Sequence, residues 1–110
     1  MLSKEDVIAV NKKFANGNIV NNSSLGFALS MTKTTKDWIK QLAFLVRAIV
    51  IDHVFEEGNK RTASSLVIAY IETHKLGYDP KGVDDMIVKI LKKNVSSITK
   101  IRRMIKDATW

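Results

Sequence analysis

The chain has 110 residues, a formal net charge of +7, 45% hydrophobic and 26% charged residues, and no cysteine. That length fits one domain able to bury a core, and the balance is globular, not disordered. Without cysteine there is no disulfide, thiolate nucleophile or thiolate zinc site, and the most apolar stretch, residues 38–54, is interrupted by Lys40, Gln41, Arg47 and Asp52 and is too short to span a bilayer. The positive charge attracts polyanions in general. Its lysines are scattered along the chain, however, which reads as solvated helix faces, so neither a nucleic-acid nor a membrane partner is expected. The opening Met1-Leu-Ser-Lys-Glu-Asp6 is mostly polar and charged, unlike a secretory signal, so a cytoplasmic location is expected.

In chain order, Ser3 with Asp6 three residues on predicts a capped helix start, followed by Val7, Val10 and Phe14 at helical spacing. Asn16-Gly17 is expected to end that helix. Residues 16–26 are rich in Asn, Gly and Ser, with Ile19-Val20 in the middle. They predict a short hairpin or irregular flap near residues 17–25, then a short helix around Leu25 to Met31. The strongest helix is expected to begin at Thr35 or Lys36. Its apolar residues, from Trp38 through Leu42, Val46 and Ile49 to Ile51, cover nearly its whole circumference, which marks a buried central helix.

That helix delivers His53. After Gly58 a second long helix is predicted from about Asn59 to Lys75, stopped by Gly77 and Pro80. A third follows on Val83, Met86, Ile87, Ile90 and Leu91, and a last one on Ile98, Ile101 and Ile105. The expected fold is all-α, a single-domain bundle of about five or six helices spanning residues 1–110.

Most of the chemistry lies in His53-Val-Phe-Glu-Glu-Gly-Asn-Lys-Arg61. A glycine opening a helix makes an anion site, because first-turn amides are unpaired and carry the positive end of the helix dipole. Gly58 allows a sharp turn and a close phosphate approach. Asn59 can cap the helix or bond a phosphate, and Lys60 and Arg61 add charge. His53 can accept a proton from an attacking hydroxyl. Glu56 or Glu57 can hold Mg²⁺ against phosphates, since that ion needs only one or two carboxylates besides its substrate. Competing chemistries lack parts: His53-x-x-Glu56 has no second histidine for a zinc protease, and no serine sits in a nucleophile elbow. His74, at the end of its predicted helix, reads as a cap or dipole partner, and Tyr70 and Phe44 read as core.

Residues 53–61 resemble the Fic/Doc signature, H-x-F-x-[DE]-[GA]-N-[GK]-R. Lys60 and the following Arg61-Thr62-Ala63 look like the death-on-curing (Doc) branch. The resemblance is tight over residues 53–63 and loose over most of the chain. It implies a Mg²⁺-dependent, ATP-using enzyme that modifies a protein hydroxyl. In it His53 is the general base, Glu57 the metal ligand, Gly58, Asn59, Lys60 and Arg61 the phosphate cradle, and Phe55 the anchor of the loop. Residues 17–25 would be the flap that docks the target backbone.

Ser64 stands where the AMP-transferring Fic branch carries a second arginine. That favours Doc-like transfer of the γ-phosphate to a Ser or Thr, with elongation factor Tu as the type of target, over transfer of AMP. The inhibitory [ST]-x-x-x-E-[GN] helix of the family has no counterpart in this chain, so the resemblance implies a separate antitoxin protein. A catalytically silent binding module is the reading from outside the enzyme class.

Overall fold

The computed structural model describes residues 2–110, and among them six α-helices carry the fold: α1 (Lys4–Asn11), α2 (Asn22–Thr32), α3 (Trp38–Val46), α4 (Asn59–Thr73), α5 (Pro80–Lys92) and α6 (Ile98–Asp107). The described residues form no strand beyond two isolated bridges, Ile19 with Phe55 and Tyr78 with Thr109. The all-α, single-domain expectation therefore holds for the architecture. No helix among these residues is long and apolar enough to cross a membrane.

α3 is the central element. It packs on α2, α4 and α6, and Leu42 through Val46 are all buried, as an apolar circumference requires. It starts later than Thr35, because Asp37 is its cap and accepts from the amides of Ile39 and Lys40 at 3.1 and 3.2 Å. Asp37 also accepts from Arg102 of α6 at 2.6 Å. Partial burial raises the Asp37 pKa, but Arg102 and the amides of Lys40 and Ile39 outweigh it and hold the carboxyl below its usual value. A depressed folded-state pKa contributes stability at neutral pH that is lost as pH falls through it.

The other boundaries sort local signals from tertiary ones. The capping box at Ser3 forms, with Ser3 and Asp6 bonded reciprocally at 2.9 and 3.2 Å. α1 nevertheless ends at Asn11, well before Asn16-Gly17, and Phe14 lies 38% exposed instead of continuing the inner stripe. Beyond Asn11 the chain continues in turns, with Phe14 N and Ala15 N both bonded to Asn11 O at 2.9 and 2.8 Å, while the buried Asn11 side chain is held by groups outside the helix. Residues 22–25, expected in the flap, form the first turn of α2, because Asn21 caps it by accepting from Ser24 N at 3.2 Å. α4 stops at Thr73, earlier than expected, with Lys75 in the left-handed region. Pro80 begins α5 instead of ending α4, as the N1 preference of proline allows. At Gly77 a side chain would collide with the Trp110 ring, and the Trp110 amide donates to Gly77 O at 2.9 Å.

His74 caps α4 as expected. Its Nδ1 lies 2.8 Å from Tyr70 O, and its ring stacks on Trp38 at 4.0 Å between centroids. Phe44 is core, whereas Tyr70 is half-buried.

Candidate active site

The end of α3 runs into a π-helical turn, Arg47–Ile51, where Asp52 N bonds back to Arg47 O at 3.2 Å. The extra residue in this turn changes the angle at which the chain leaves the core. Asp52 follows, and His53 then adopts φ +57°. A non-glycine residue in the left-handed region is uncommon and costs on the order of 1 kcal/mol. The chain next dives inward, burying Val54 and Phe55 completely, and re-emerges at Glu56 and Glu57. Phe55 thus anchors the loop, while His53 stays exposed at its start.

Asn59 sets the loop's shape. It is the first residue of α4 and not its cap. Its Oδ1 accepts from Phe55 N at 3.0 Å and its Nδ2 donates to Phe55 O at 2.8 Å. Those two bonds fix which end of the amide is which. The second Nδ2 hydrogen is directed to His53 Nδ1 at 3.3 Å. Nδ1 is therefore an acceptor, and the neutral ring carries its proton on Nε2. The Asn59 side chain is committed to the loop and to His53, which leaves its main-chain amide as its means of contacting a phosphate.

Gly58 takes φ +79° and starts α4 with no side-chain cap. The first-turn amides are thus free of protein side chains among the described residues, the condition for an anion site. A Cβ at Gly58 would meet Ala15 Cβ and Asn11 Nδ2, each at 3.1 Å. Glycine is needed for its φ and for close packing against residues 11–15. Gly58→Ala should destabilise the protein by roughly 1–3 kcal/mol in urea unfolding. An unchanged midpoint would contradict the packing seen at this turn.

The two carboxylates differ. Glu56 accepts from Asn18 Nδ2 at 2.8 Å and from Asn16 Nδ2 at 3.5 Å, and these bonds hold its pKa below the usual value. The Glu57 carboxylate has no hydrogen bond or ion pair with the described residues, while its carbonyl accepts from Asn11 Nδ2 at 3.0 Å. His53, Glu56, Glu57, Gly58, Asn59 and Lys60 line one pocket of about 270 Å³, closed on its apolar side by Val50 and Leu91. Lys60 and Arg61 are exposed. Arg61 lies outside this pocket, in a neighbouring one of about 170 Å³ shared with Lys60 and Ser64. Leu91, one of the residues that mark α5 in the sequence, is 41% exposed at the pocket rim.

No group of three or more metal-binding side chains occurs among the described residues. Glu57 fits Mg²⁺ as a single carboxylate sharing the ion with phosphate oxygens; a closed protein cage is not available.

Asn11 and the asparagines of residues 16–21 also shape the site, although the sequence suggested no role for Asn11 and only a target-docking flap for residues 17–25. Asn11 is fully buried and donates to Glu57 O and Thr62 Oγ1, both at 3.0 Å, while its Oδ1 accepts from Gly17 N at 2.8 Å. Thr62 in turn donates to Gly58 O at 2.7 Å. Asn21 Nδ2 donates to Asp52 O at 2.8 Å. Residues 18–21 run antiparallel to the loop, with Val20 N on Val54 O at 2.8 Å and Glu56 N on Asn18 O at 3.0 Å. One edge of the expected flap is thus spent on holding the loop. A signal for Asn11 existed: it sits four residues after Val7, on the face that the apolar stripe should occupy.

Comparison with known proteins finds no family model that matches the chain, and no curated protein or solved structure similar to it.

Proposed function

We propose that the protein is a Doc-like toxin that transfers the γ-phosphate of ATP to a Ser or Thr hydroxyl of a target protein. One observation carries the reading. His53, Glu57, Lys60 and the uncapped start of α4 converge on a single pocket, with Asn59 positioning the histidine. The Fic/Doc resemblance of residues 53–63 supplies the roles.

The first-turn amides and Lys60 bind the phosphates, and Gly58, at φ +79°, makes the turn into that helix start. The hydroxyl oxygen attacks the γ-phosphorus, the bond to the bridging oxygen breaks, and ADP leaves. The hydroxyl proton passes to His53. In the tautomer with hydrogen on Nε2 the free lone pair is on Nδ1, so the ring must release its 3.3 Å contact with Asn59 before Nδ1 can take the hydroxyl proton. Mg²⁺ held with the phosphates by Glu57 would neutralise negative charge there. Ser64, in place of the arginine of the AMP-transferring branch, favours the γ-phosphate over the α-phosphate as the group moved. Restraint would come from a separate antitoxin protein, and the target is expected to be a translation factor of the elongation factor Tu type.

ATP labelled at the α or the γ position, incubated with the protein and candidate targets, tests this reading. Label should reach protein from the γ position only. Label from the α position only would instead establish AMP transfer.

A further inference from the structure

One face of α5 has no role in phosphate transfer as described. Asp84, Ile87, Val88 and Leu91 follow each other at helical spacing and lie in one row. Leu91 borders the His53 pocket, whereas Asp84, Ile87 and Val88 line the neighbouring pocket of about 170 Å³ with Lys60, Arg61 and Ser64. Lys60 is common to both pockets. From Leu91 back to Asp84 is about 10 Å along the helix, at 1.5 Å per residue.

Asp84 decides what the second pocket suits. Its carboxylate is exposed and makes no hydrogen bond or salt bridge with the described residues, although Lys60 and Arg61 line the same pocket. An ionised carboxylate only accepts hydrogen bonds and repels phosphate. Lys60 and Arg61 line the same pocket, so a phosphate there meets charges of both signs, whereas a sugar hydroxyl can donate to Asp84 with no repulsion to overcome. The pocket is also smaller than the roughly 300–1,000 Å³ typical of sites that enclose a whole small molecule.

We propose that this pocket is a ribose subsite, in which Asp84 accepts from the sugar hydroxyls of the donor nucleotide while the base stays largely in solvent. The inference rests on the reading of residues 53–61 as a triphosphate site. It adds that the enzyme reads the sugar and is nearly indifferent to the base.

Calorimetric titration with Mg²⁺ and four probes separates the two ideas: inorganic tripolyphosphate, ATP, GTP and 2′,3′-dideoxy-ATP. Wild type should bind ATP and GTP within a few-fold of each other, and both about tenfold tighter than dideoxy-ATP, as expected for loss of hydrogen bonds to a charged group. Asp84→Ala, at an exposed position, should abolish the ATP-to-dideoxy-ATP ratio and leave tripolyphosphate bound at least as tightly. Equal binding of ATP and dideoxy-ATP by wild type, or a ratio that survives Asp84→Ala, would overturn the ribose subsite while leaving the phosphate site standing. Strong preference for one base would overturn the claim of base indifference. Failure of tripolyphosphate and both nucleotides to bind would remove the phosphate site and the subsite together.

Discussion

His53→Ala is expected to lower phosphate transfer about 10²–10⁴-fold, the usual contribution of a positioned general base, with little change in thermal stability. The side chain is exposed, and its one recorded hydrogen-bonding contact is the 3.3 Å approach of Asn59. Alanine inherits the same left-handed backbone, so no strain is relieved. His53→Gly separates function from folding more sharply. It should be as inactive as the alanine variant, yet more stable by about 0.4–1 kcal/mol, because glycine accepts φ +57° without a steric cost. A residue that costs stability where it stands and is needed for activity is the signature of a strained functional position. Growth arrest on expression should disappear in both variants. Arrest that persists in both would favour a silent binding module.

Asn11→Ala is expected to be the most damaging single polar substitution. It strips partners from Glu57 O and Gly17 N, and also from Thr62 Oγ1, around a fully buried side chain. Each buried group left without a partner costs about 1–3 kcal/mol, so a total loss of roughly 2–4 kcal/mol follows. In a domain of this size that lowers the melting temperature by roughly 10–20 °C. The loop also loses its brace at Glu57 and Gly58, so transfer should fall even at temperatures where the variant remains folded. Pairing Asn11→Ala with Thr62→Val should give less than the sum of the single effects, because both remove one shared hydrogen bond. Strict additivity would mean that the network does not act as a unit.

What could be read from the sequence was local. The nine residues of the loop sit side by side, so their chemistry could be seen without a fold, and the apolar circumference of α3 predicted its burial directly. The braces were not visible. Asn11 meets Glu57 and Thr62 across 46 and 51 residues, and no helical or strand period encodes that contact. α1 ends at Asn11 and Phe14 lies 38% exposed, off the inner stripe. The π-helical turn before His53 was hidden for a different reason. Where residues are apolar on every side, one extra residue in a turn leaves the hydrophobic pattern unchanged. The loop side of residues 18–21 was hidden too. A polar, Asn-rich segment reads as irregular, yet Asn18 and Asn21 hold Glu56 and Asp52 in place.

The differing fates of Glu56 and Glu57 follow from that bracing. Asn18 and Asn16 occupy Glu56, so Glu57 is the carboxylate without a side-chain partner among the described residues and the one the proposed reading assigns to the metal. The three parts of the proposed site, His53, Glu57 and the start of α4 at Gly58, are each braced by an asparagine. Asn59 positions His53, Asn11 holds Glu57 and, through Thr62, Gly58, and Asn18 takes Glu56 out of competition.

The most direct test of the proposed phosphate transfer is the mass of a candidate target protein, an elongation factor Tu for example, after incubation with this protein and Mg-ATP. The expected result is the gain of one phosphate on a Ser or Thr, absent when His53→Ala replaces the wild type. Gain of an AMP group, or the same phosphate gain with His53→Ala, would contradict it.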